Sequence, residues 1–157
     1  MRRFAWLFVM AMALGATWNF AATLQAAPIA GVSPDQLENL IAKNRGNVLV
    51  VDFFATWCPP CRQEIPGFVN LQKKYGAKGL TIVGVSLDEG PAGVIEDFSR
   101  ELGINYTVYQ ATGDMSRKHR IRAIPTTYIF DKAGKKAKTH IGFVAEEEFE
   151  KQITGLL

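Results

Sequence analysis

Val48–Phe54 (VLVVDFF) is a run of strand-forming residues broken by a single Asp, and it limits the possible folds more than any other stretch of the 157 residues. A strand with one wet face alternates apolar and polar side chains, whereas a run without alternation needs cover on both faces. Residues 80–87 (LTIVGVSL) form a second such run. Two strands of this kind place a sheet between layers of helix, and the segments around them have the helical signals. Ser33-Pro34-Asp35-Gln36 combines an N-cap, a Pro in the first turn and a capping-box partner, so a helix should follow to about residue 45. Residues 60–75 read as a helix containing Pro66, 91–102 as a helix closed by Gly103, 106–110 as a short strand, and 115–119 as a brief helix. Thr126–Phe130 and Lys136–Ile141 flank a turn at 131–134 and form a hairpin, and residues 146–157 close the chain as a helix with acids in its first turn. Residues 27–32 read as a tether. Strands alternating with helices imply parallel pairing and the hairpin adds antiparallel pairs, so the expected fold is α/β, with a mixed central sheet flanked by helices on both faces.

The N-terminus differs in kind. Arg2 and Arg3 precede a nearly unbroken apolar stretch over residues 4–18 and a run of small residues up to Ala27. This is the pattern of an export signal, with its best cleavage point after Ala26. Counted over residues 4–22 the apolar span also approaches the length that crosses a bilayer, so a retained N-terminal anchor is the alternative. The expected division is 1–26 for this segment and 27–157 for one domain. About 130 residues are enough for a single hydrophobic core. Setting aside Arg2 and Arg3, 16 of the 18 basic side chains remain against 15 acidic ones, so nothing in the charge points to nucleic acid. With 48% hydrophobic and 21% charged residues, disorder and disulfide-dense scaffolds are excluded.

The two cysteines carry the chemistry. Trp57-Cys58-Pro59-Pro60-Cys61 follows the first buried strand and opens a helix. Cys58 should then project, exposed, from the helix N-terminus, while Cys61 sits one turn inward. There the helix dipole and the Cys61 amide favour a Cys58 thiolate. Cys58 would attack first and Cys61 would resolve the mixed disulfide from within the same molecule. Pro59 and Pro60 have no amide hydrogens, so the thiolate has fewer donors than in a motif with ordinary residues there. A less stabilised thiolate makes a better electron donor, which favours a reductase over an oxidase. A structural staple across so short a loop would contribute only about 2 kcal/mol. A zinc site lacks nearby ligands, since His119 and His140 are distant, and no metal is assigned; Cu(I) held by the two thiolates is the remaining alternative.

Taken together, VDFFATWCPPC, Pro66, Ile124-Pro125-Thr126-Thr127 before a strand and Gly142 after the hairpin resemble the thioredoxin fold. Within it the chain is similar to the exported TlpA/ResA/DsbE-like thiol-disulfide oxidoreductases, and the stretch from Gly90 to Gln110 corresponds to their added helix-strand segment. The resemblance implies a cis Pro125 packed against the cysteines. It also implies substrate contacts at Trp57, Pro59, Pro60, Ile124 and Pro125, and proton handling by Asp52, with a further role for Glu64. Thioredoxins place a Lys on the next strand beside the buried acid, but the register puts Gly84 there. His119 falls where relatives have an aromatic residue and reads as packing. The resemblance implies an exported dithiol reductase of protein disulfides without a cofactor, with apocytochrome c as a candidate substrate and electrons from a DsbD- or CcdA-like membrane carrier. An oxidase, an isomerase or a copper-handling protein are the alternatives.

Overall fold

The computed structural model describes residues 28–157; the expected export or anchor segment lies outside them. Six strands form one mixed sheet in the order β1-β4-β3-β2-β5-β6. They are β1 (Ala30–Val32), β2 (Val48–Phe54), β3 (Leu80–Ser86), β4 (Thr107–Ala111), β5 (Thr126–Phe130) and β6 (Lys136–Ile141). The pairs from β1 to β2 are parallel, and β5 and β6 are antiparallel to their neighbours. The helices are α1 (Pro34–Lys43), α2 (Pro59–Tyr75), α3 (Ala92–Glu101), α4 (Met115–Lys118) and α5 (Glu146–Thr154). Among the described residues, no helix is long and apolar enough to cross a membrane.

All seven residues of β2 are buried, as an unalternated run requires. Successive side chains point to opposite faces. Leu49, Val51 and Phe53 pack with Leu37 of α1 and Met115 of α4. Val48 and Val50 pack with Phe68 and Leu71 of α2 and Phe149 and Ile153 of α5. Asp52 has the same parity as Val48 and Val50 and therefore faces the α2 side. Phe54, one step further, stacks on Phe98 of α3 at 5.6 Å between ring centroids, so the added helix lies on the α2 face too.

One expectation is corrected. The segment read as a tether contains β1, whose residues 30–32 pair in parallel with residues 109–111 of β4. Three residues are too few to show a period, and this strand is set by the open edge of β4, with Val32 buried beneath it. The helix at Ser33 has the capping box its sequence encodes. The Gln36 amide donates to Ser33 Oγ at 3.3 Å, and the Ser33 amide donates to Gln36 Oε1 at 2.8 Å. Ser33→Ala is expected to lower stability by about 1 kcal/mol, measured as a reduced urea midpoint at unchanged slope.

Candidate active site

The end of β2 delivers Thr56 and Trp57 to the mouth of α2, and a hydrogen-bonded knot holds that turn. Asp88 accepts from the Thr56 amide at 2.9 Å, from Thr56 Oγ1 at 2.7 Å and from Ser86 Oγ at 2.5 Å. Gln110 Nε2 donates to the Asp88 and Gly90 carbonyls at 3.1 and 2.8 Å, so β4 braces the same loop. Cys58 then takes the N-cap position of α2 with extended backbone, and its Sγ accepts from the Cys61 amide at 3.3 Å. With Pro59 and Pro60 between them, this is the backbone donor that the first turn offers the sulfur. Cys58 and Cys61 are joined as a disulfide.

The structure corrects the expected exposure of Cys58. It is only 3% exposed, and Cys61 is fully enclosed. Both belong to an apolar cluster with Phe54, Ile65, Ile95 and Phe98, and Ile124 packs against that cluster. Helix position dictates that Cys58 caps α2, but cover from elements distant in the chain decides how much of it water reaches. The small difference between the two still matters, because Cys58 alone presents surface to an incoming sulfur.

Around this point the remaining expected residues divide by depth. Trp57 is 70% exposed, Pro59 is exposed, and Pro60 and Ile124 are half-buried. Pro125 is buried, the Ile124–Pro125 peptide is cis, and the Pro125 carbonyl accepts from the Gly142 amide at 2.8 Å. Two side chains that the sequence reading did not single out flank Gly142. Ile141 is 64% exposed and Phe143 is 50% exposed, so two large apolar groups border the cis-proline turn. Their signal was available: Ile141 ends an otherwise polar edge strand, KAKTHI, and Phe143 follows two residues later.

Two carboxyls, Asp52 and Glu64, are buried on the α2 side of the sheet. Glu64 is one helical turn beyond Cys61 on the buried face of α2. Its Oε1 accepts from the Val144 amide at 2.8 Å and its Oε2 from Thr127 Oγ1 at 3.4 Å. Burial pushes its carboxyl up to about 7 despite those two donors, which pull the other way. Asp52 is paired in register with Gly84 on one side and Thr127 on the other. It is buried, and neither carboxylate oxygen has a hydrogen-bond partner. Burial, and then the negative charge of Glu64, raise its pKa well above the usual carboxylate range. Gly84 stands where a partner lysine would be, as the register requires. His119 lies on the opposite face against Phe53, at 6.0 Å between ring centroids, where burial lowers its pKa; it is a packing residue. Among the described residues no cluster of three or more His, Cys, Asp or Glu is arranged to hold a metal ion.

This geometry has counterparts among known proteins. The profile of the AhpC/TSA family matches residues 36–138. The thiol-disulfide oxidoreductase ResA of Geobacillus kaustophilus is 26% identical over 98% of this chain and 94% of its own length. Sporulation thiol-disulfide oxidoreductase A of Bacillus subtilis is 28% identical over 72% of this chain and 70% of its own. Among solved structures, a thioredoxin-family thiol:disulfide interchange protein of Chlorobium tepidum superimposes with a TM-score of 0.68 at 32% identity, covering 73% of this chain and 83% of the other.

Proposed function

The chain belongs to the AhpC/TSA family and is a thioredoxin-fold thiol-disulfide oxidoreductase, and from that premise we propose that it runs as a dithiol reductase of protein disulfides outside the cytoplasm. In the reduced protein the Cys58 thiolate attacks one sulfur of a substrate disulfide. That S–S bond breaks, the other substrate sulfur leaves as a thiolate, and a mixed disulfide remains on Cys58. Cys61 then gives up its proton and attacks Cys58 Sγ. The second substrate sulfur leaves, the Cys58–Cys61 disulfide forms, and two electrons have passed to the substrate. Asp52 takes the Cys61 proton, and Glu64 is the second carboxyl of that site. Trp57, Pro59, Pro60 and Ile124, extended by Ile141 and Phe143, form the apolar rim on which an extended substrate segment lies, with the turn at Pro125 supporting it.

The observation that carries the direction of electron flow is the surroundings of the sulfurs. Cys58 Sγ receives one backbone donor, and both sulfurs lie in an apolar cluster with Phe54, Ile65, Ile95 and Phe98. Few donors and apolar surroundings both disfavour thiolates, so the reduced form is poorly stabilised and yields its electrons readily. The export or anchor segment at residues 1–26 supports the location, and the family resemblance supports apocytochrome c as substrate and a DsbD- or CcdA-like membrane carrier as donor. Equilibration with a dithiothreitol redox buffer tests the direction. The potential is expected near that of thioredoxin, about −270 mV, and a value near strong periplasmic oxidants, about −120 mV, would overturn the reductase reading.

A further inference from the structure

Tyr106 buries the end of the side chain that an ordinary tyrosine keeps wet. A half-buried tyrosine usually keeps its ring inside and its hydroxyl in water. Here the ring packs against the core around Ile82 and Phe98, and the hydroxyl is buried as well, with no hydrogen-bond partner. A phenylalanine would fill the same space without burying an unpaired hydroxyl. The place it occupies is specific. A Cβ added to Gly84 would stand 3.5 Å from Tyr106 Cε2, the ring carbon next to the one bearing the hydroxyl. Gly84 is the strand partner of Asp52, whose two oxygens are also buried and unpaired. The space over the glycine is closed by Phe54 Cε1 at 3.1 Å, Val108 Cγ2 at 3.3 Å and the end of the tyrosine ring.

We propose that Tyr106 is a positioning residue for the thiol chemistry, its hydroxyl being the donor that the Asp52 carboxylate takes up when it ionises. This rests on the reading of Asp52 as the group that exchanges a proton with Cys61. In the resolving step the proton moves from Cys61 to Asp52, and Tyr106 keeps its own throughout. Burial and the charges of Asp52 and Glu64 hold the phenol well above its usual range, so it donates a hydrogen bond without giving up the proton. The other groups around Asp52 leave this role open. From α2 come Cys61 and Glu64, the latter already bonded to Val144 and Thr127. β5 offers Thr127, whose hydroxyl donates to Glu64, and β3 offers Gly84. On β6, His140 pairs with Thr127, but its ring meets Gln152 and Phe149 of α5.

The test is Tyr106→Phe, which keeps the ring, read by carbon-13 titration of the Asp52 carboxyl in the reduced protein. Removing the donor is expected to move the Asp52 midpoint upward by about one pH unit, as for loss of a hydrogen bond to the charged form. The pH limb of the resolving step is expected to move with it. A midpoint unmoved by the substitution overturns the proposal, as does a wild-type carboxyl that stays protonated throughout. Asp52→Asn separates the two readings. If it leaves the limb in place, the proton-relay reading fails while the carboxyl titration still decides the tyrosine. If it removes the limb and Tyr106→Phe shifts neither limb nor midpoint, the tyrosine proposal alone fails.

Discussion

Cys58→Ser is expected to reduce insulin-disulfide reduction by about three orders of magnitude or more, because it removes the only sulfur of the pair with any surface. Cys61→Ser should behave differently. The first exchange proceeds, no internal thiol follows, and the substrate accumulates as a mixed disulfide on Cys58. Non-reducing electrophoresis with a disulfide-containing partner distinguishes the two variants. The asymmetry is built into α2, where Cys58 caps the helix and Cys61 sits fully enclosed one turn on. Full turnover by either variant would contradict the division of roles.

The second large effect is on stability. Glu64 has a pKa of about 7 in the folded, oxidised protein against 4.5 for the free side chain. Between those values the folded state holds a proton that the unfolded chain has released. Stability therefore falls as pH rises, and the contribution, present in full below pH 4.5, is lost by the time pH passes 7. The interval corresponds to roughly 3 kcal/mol. Asp52, also raised, acts with the same sign. Glu64→Gln keeps an acceptor for the Val144 amide and cannot ionise, so it should flatten the decline by that amount and be the more stable protein at pH 8. Urea unfolding of both oxidised proteins from pH 4.5 to 8 measures this. A wild-type stability that rises relative to Glu64→Gln across the interval would contradict the buried-acid account.

What the sequence made legible follows from how local each signal is. The unbroken run of β2, the capping box at Ser33 and the position of Cys58 at the start of α2 are encoded within a few residues of where they act. The pairing of Asp52 with Gly84 follows from aligning two buried strands. Features made by distant segments were not legible. β1 exists because β4 has an edge to pair with. The near-complete burial of Cys58 depends on Ile95, Phe98 and Ile124. The sequence placed Glu64 one helical turn past Cys61 but not inside; its burial and its partners Val144 and Thr127 depend on the far end of the chain. The inward hydroxyl of Tyr106 had no sequence signature, because an aromatic residue at a strand entrance normally reads as packing.

Iodoacetamide labelling of the reduced protein at pH 7, with each cysteine located by mass spectrometry, addresses the central claim most directly. Cys58 is expected to react about tenfold faster than Cys61, as for a helix-capping thiolate beside an enclosed thiol. Equal and slow labelling of both sulfurs would show that the mouth of α2 holds no activated thiolate, and would contradict the account.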